Sequence, residues 1–88
     1  MKTFELIPAD GRKSFYHKCY VTEENGEAVL YSYNTKILSY DIAAETITTT
    51  EYFNYSATTK RHQKAFYKLY NIPAENIPGG KKSSNGGK

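Results

Sequence analysis

Between residues 14 and 22 the chain alternates, with Phe15, His17, Cys19 and Val21 on one side and Tyr16, Lys18 and Tyr20 on the other. A period of two is that of a strand with one face buried. Residues 3–7 read as a shorter first strand, stopped by Pro8-Ala9-Asp10-Gly11. Residues 28–33 and 36–42 are rich in β-formers, and residues 46–53 carry a β-branched threonine run that disfavours helix. The connections are brief. Asn25-Gly26 is the strongest hairpin signal, because both residues accept positive φ. Asn34-Thr35 is expected to turn the chain and Ala43-Ala44-Glu45 to form a tight connection. Strands joined so closely imply an antiparallel meander, since a parallel crossover needs a dozen or more residues.

After Ser56 the period changes. At about 100° per residue, Thr58, His62, Ala65, Phe66 and Leu69 gather on one side of a helix, and Lys60, Arg61, Lys64 and Lys68 on the other. Ser56 is a good N-cap, able to accept from the amide of Thr58 or Thr59. Asn71 suits the position just past the end, and Pro73 prevents continuation. The pattern predicts an α+β fold: four to five short antiparallel strands with one C-terminal amphipathic helix over residues 57–70. That helix is expected to pack on one face of the sheet through His62, Ala65, Phe66 and Leu69.

Composition sets the scale. Eighty-eight residues suffice for one domain. Residues 1–73 are assigned to it and residues 74–88, mostly Gly, Ser, Asn and Lys, to a flexible tail. A fold of that size has a lean core. The one cysteine, Cys19, cannot form an internal disulfide, and no secretory apolar region opens the chain. A soluble cytoplasmic protein is therefore expected, with no membrane association and as a monomer or weak homodimer.

The net charge of +3 conceals a division. Residues 1–51 hold five basic and eight acidic side chains, whereas residues 52–88 hold seven basic ones against Glu75 alone. Positive charge is thus local to the helix and tail, and local charge bears on partners as net charge does not. Nine of the aromatic residues are tyrosines and none is tryptophan. Tyrosine suits a half-buried sheet face, and its ring is also a stacking surface for unpaired bases.

Catalytic chemistry finds little support. His17 and Cys19 lie two apart on one strand and His62 lies on the helix, but the paired spacings of a zinc site are missing. Cys19 with a histidine could form a nucleophile and base pair, yet nothing in its context activates it, so a buried, inert thiol is expected. Phosphate-loop, dinucleotide and metalloprotease motifs are absent from the sequence. No catalytic residue, metal or cofactor is assigned.

The helix start is more suggestive. Ser56, Thr58 and Thr59 put hydroxyls beside free backbone amides and the cations Lys60 and Arg61, which is the chemistry of an anion site. A well-capped, solvated surface helix accounts for the same residues. That plainer account is preferred on capping grounds, and two features narrow the gap: basic residues in the first turns oppose the helix dipole, and the lysines have no acid at i±4.

The segments Ser32-Tyr33-Asn34-Thr35-Lys36 and Tyr55-Ser56-Ala57-Thr58-Thr59-Lys60-Arg61-His62 resemble a signature of small uncharacterised proteins of bacteria, phages and mobile elements, S-Y-x-T … Y-S-x-T-T-x-R-H. Phe66 fills the later aromatic position, and Asn34 stands where relatives commonly have glycine. The resemblance spans residues 28–70 and implies kinship without implying an activity. Its Ser56, Thr58, Thr59, Arg61 and His62 serve equally well as a scaffold locking helix to sheet.

Two functions remain in view. The first is a non-enzymatic module binding nucleic acid, with Lys60, Lys64 and Lys68 on phosphate, Arg61 on phosphate or a base edge, and exposed tyrosines stacking. The alternative is a phage- or element-encoded interaction factor that applies the same basic face to an acidic host protein.

Overall fold

Positive φ at two consecutive residues shapes each of the two central turns. Asn25 (φ 54°) and Gly26 (φ 81°) join strands β2 (Cys19–Glu24) and β3 (Glu27–Ser32). Tyr33 (φ 53°) and Asn34 (φ 66°) join β3 to β4 (Thr35–Asp41). These are type I′ loops, whose twist matches that of the flanking strands. The second turn lies one residue earlier than the Asn34-Thr35 pair expected from sequence, because Thr35 pairs with Ser32 in the ladder. The computed structural model describes residues 1–8 and 18–78. The expected strand positions 14–17, with Phe15, Tyr16 and His17, lie outside the described residues, as do most of the 8–11 turn and the tail from residue 79.

With β1 (Lys2–Glu5) and β5 (Thr46–Thr49), the strands form one antiparallel sheet in the order β1-β2-β3-β4-β5. This is the expected meander. The edge strands have four residues each, short enough to offer little unpaired backbone to a neighbour. Between β4 and β5 the chain turns at 42–45, where the Asp41 side chain accepts from Ala44 N at 3.0 Å and Glu45 takes φ 59°.

One face of the sheet is the core. Val21, Leu30 and Leu38 stand in register across β2, β3 and β4 and are fully buried, flanked by Cys19, Ala28 and Tyr40. A bulge where β3 meets β4 leaves Ile37 without a ladder partner on β3, and Ile37 is buried as well. Thr50 binds the carbonyls there: its amide donates to Ile37 O at 3.1 Å, and its hydroxyl lies 2.8 Å from Lys36 O and 2.9 Å from Ile37 O. That duty ends β5 at Thr49, four residues before the expected strand end at 53. Beyond it Phe53 N donates to Thr50 O, and Asn54 takes φ 60°.

Helix α1 (Ala57–Leu69) closes the core. Ser56 is its N-cap, accepting from Thr59 N at 3.1 Å, as the sequence predicts. At the other end Asn71 (φ 53°) donates to Lys68 O and Ile72 N donates to Tyr67 O at 2.9 Å. This is a Schellman ending, with buried Ile72 as its apolar contact. The Tyr70 hydroxyl also donates to the Glu23 carboxylate, which ties the helix end to β2. Ala74–Asn76 then form a 3-10 turn, and Ile77 packs partly against the core. No helix among the described residues is long and apolar enough to cross a membrane.

The buried side of α1 differs from the expected stripe. His62, Ala65 and Phe66 are buried, but Thr59 and Gln63 join them, whereas Leu69 is 47% exposed. Gln63 is buried because its amide is fully used. Its Oε1 accepts from Asn54 N at 2.7 Å, and its Nε2 donates to Asn54 Oδ1 at 2.8 Å and to the Tyr67 hydroxyl at 3.3 Å. This reciprocal clamp fastens the 50–55 connection onto the helix. Leu69 instead borders an open apolar groove of about 400 Å³ shared with Phe4, Leu6 and Ile7. Replacing Gln63 with Leu removes all three bonds while keeping the volume similar. A loss of about 1–3 kcal/mol is expected, read as a lower urea midpoint with an unchanged slope.

Candidate functional site

The two motif segments, Ser32–Lys36 and Tyr55–His62, converge. Ser32, Tyr33, Thr35 and Ile37 from the β3–β4 hairpin, Tyr52 and Tyr55 from the following connection, and Ser56, Thr58 and Thr59 from the start of α1 line one cleft of about 330 Å³. Seven residues of the S-Y-x-T and Y-S-x-T-T-x-R-H pattern thus face a single space. The polar helix start, which sequence treats as surface, is here a wall.

Beneath the cleft lies a buried polar pair. His62 Nδ1 and Ser32 Oγ are 2.8 Å apart, with 1% and 3% of their surfaces exposed. Burial, and secondarily the charge of Arg61, lowers the His62 pKa to about 4, so the imidazole is neutral at pH 7. The hydrogen bond between Nδ1 of the neutral ring and the buried hydroxyl pairs two polar atoms in the interior and pins α1 to β3. Beside it, Ser56 Oγ and Thr59 Oγ1 lie 3.1 Å apart, so the N-cap hydroxyls are partly occupied with each other.

The mouth of the cleft is aromatic. Tyr33 is 54% exposed, Tyr52 39% and Tyr55 72%. Tyr33 sits in the left-handed region, which costs a non-glycine residue about 1–2 kcal/mol. It is held there by a bond from its amide to Lys18 O at 2.9 Å and by the Lys18 ammonium 5.5 Å from its ring centre. Tyr52 and Tyr55 meet edge to face at 5.7 Å. The other described tyrosines serve structure: Tyr40, Tyr67 and Tyr70 surround the core, and Tyr20 stacks on Tyr31 at 5.1 Å across β2 and β3.

The predicted basic residues divide. Lys60, Lys64 and Lys68 are exposed, and among the described residues none has a carboxylate within 4 Å. Spaced by four, they continue the line of Ser56 up the helix, rising about 6 Å at each step. The file therefore starts at the cleft wall. Arg61 is half-buried, next to His62, and is not part of that exposed file. Sequence reasoning missed Tyr52, Thr35 and the Ser32–His62 pair as partners in one place. The signal was the joint presence of both motif segments, which periodicity does not connect.

Cys19 is buried on β2, and burial, with the charge of Glu5, pushes its thiol up to about 12. Such a group is a poor nucleophile at neutral pH. Among the described residues no group of three His, Cys, Asp or Glu side chains could hold a metal ion.

The fold and cleft define a small α+β domain in which a five-stranded meander and one helix enclose a hydroxyl- and tyrosine-lined recess. The model of the family of unknown function DUF8033 matches residues 4–83, and the chain belongs to that family. No curated protein and no solved structure matches it.

Proposed function

We propose that the protein is a non-enzymatic nucleic-acid-binding module that engages the phosphate backbone along α1. The observation carrying this reading is the file Lys60, Lys64, Lys68, exposed and without ion-pair partners among the described residues. Three like charges on one helix face repel one another and are not offset by local acids, so an anionic partner gains from all three. Arg61 adds positive potential beside the file. The setting that accompanies this reading is the cytoplasm of a bacterium, with the protein encoded by a phage or mobile element. The motif resemblance of Ser32–Lys36 and Tyr55–His62 supports that origin, and a buried free thiol at Cys19 suits a reducing compartment.

Binding is expected to weaken steeply with salt, because each neutralised phosphate releases counterions. Replacing Lys60, Lys64 and Lys68 together with Ala is expected to reduce the slope of log K against log salt by about 2 for single strands. The thermal midpoint should hold, since all three side chains are exposed. Absence of binding to mixed DNA and RNA at ~50 mM salt, where release contributes most, overturns the reading. So does a stoichiometric host protein that survives nuclease treatment of a lysate pull-down and is released by the lysine substitutions; that result means an acidic protein partner.

A further inference from the structure

Resting on that reading, we infer that the ligand is single-stranded and that the cleft at the foot of the lysine file receives one unpaired base, stacked against Tyr55 and Tyr52. Three tyrosines stand at one mouth with much of their ring surface in water, whereas the other described tyrosines pack in the core or pair across the sheet. The recess beyond them, about 330 Å³, falls at the small end of sites for single small molecules. It suits one nucleoside and excludes a duplex. Within a duplex each base has both faces covered by its neighbours, so only an unpaired base offers a face to a tyrosine.

The chemistry around the ring positions agrees. Ser56 and Thr58 on one wall and Thr35 on the other present hydroxyls that can donate to or accept from a base edge or sugar. Lys60 lies one turn above Ser56, so the phosphate joined to the seated nucleotide meets the first lysine, and the strand continues toward Lys64 and Lys68. Lys18, over the Tyr33 ring, supplies positive charge beside that tyrosine. Stacking tolerates any base, so weak sequence preference is expected.

The absence of tryptophan makes the test direct, since stacking quenches tyrosine emission without a competing signal. The full chain is titrated at ~50 mM salt with a labelled 12-nucleotide single strand and with the duplex of the same sequence, following anisotropy and tyrosine emission. The single strand is expected to bind at least tenfold more tightly than the duplex and to quench emission. Tyr55→Ala is expected to weaken single-strand binding about tenfold while leaving the duplex affinity and the salt slope unchanged. Tyr52→Ala provides a second variant, and the far-ultraviolet dichroism of each establishes folding. Equal affinity for the two forms, or single-strand affinity unmoved in both folded variants, overturns the base cleft while the lysine reading stands. No binding of either form overturns both.

Discussion

Phe66→Ala is expected to lower the stability of the domain by about 3–5 kcal/mol, the usual range for deleting a buried aromatic ring. Phe66 is the largest fully buried side chain and meets Tyr70 at 4.9 Å and Tyr40 at 6.2 Å between ring centres. It therefore joins α1 both to β4 and to its own C-terminal end. Truncation leaves a void that these rings can close only by leaving the positions where they pack. A domain of this size has a total stability of roughly 4–12 kcal/mol, so the loss removes a large share of it. Urea denaturation at pH 7 and 25 °C measures it, as a lower midpoint with an unchanged slope. A loss below ~1 kcal/mol, within the range of surface substitutions and far from that of core ones, means that the ring is not what closes the helix onto the sheet.

Acid should destabilise the protein in a window set by His62. Its pKa is about 4 in the folded state, against 6.5 ordinarily, because burial and the neighbouring Arg61 disfavour the imidazolium. Above pH 6.5 the ring is neutral whether the chain is folded or not, so it adds no pH dependence. Between pH 6.5 and 4 the unfolded chain takes up a proton that the folded chain refuses, and stability falls as pH falls. Below about pH 4 both forms are protonated and the loss levels off. At 1.36 kcal/mol per pH unit, the separation corresponds to about 2–3 kcal/mol by pH 4.5.

Carboxylates titrate at the lower end of the same range, so a comparison isolates the histidine. His62→Gln does not titrate and keeps a group able to reach Ser32 Oγ. Its urea midpoint should fall less than that of the natural protein between pH 7 and 4.5, by the equivalent of those 2–3 kcal/mol. Identical pH dependence in the two proteins rules out a buried neutral His62.

Much of the architecture is legible in the residue pattern. The alternation at Cys19, Tyr20 and Val21, the Asn25-Gly26 pair and the Ser56 cap each act over a few residues. Their outcome is therefore decided by local sterics and hydrogen bonds. The misplacements come from longer range. Thr50 looks like one more strand threonine until its hydroxyl is drawn to the carbonyls at the Ile37 bulge. Gln63 looks like a surface residue until Asn54 meets both ends of its amide. Leu69 looks like core, but it stands past the covered part of the sheet, beside Phe4 and Ile7.

The candidate site follows the same division. Lys60, Lys64 and Lys68 are recognisable as one exposed file from their spacing alone, since a helix repeats its face every four residues or so. The cleft is not. Ser32 and His62 are thirty residues apart, and Tyr33 and Tyr55 more than twenty. The two segments carry a shared motif, yet no period relates a hairpin turn to a helix start. By itself the sequence determined the order of strands and helix, the Asn25-Gly26 turn, the Ser56 cap and the lysine side of the helix, because propensity, capping and periodicity are properties of neighbours along the chain. Only the tertiary structure decided that the hairpin and the helix start enclose a recess, and that a polar His62–Ser32 pair lies buried beneath it. Those contacts depend on how the helix lies across the sheet, which the summed packing of Phe66, Leu30, Leu38 and Tyr40 selects.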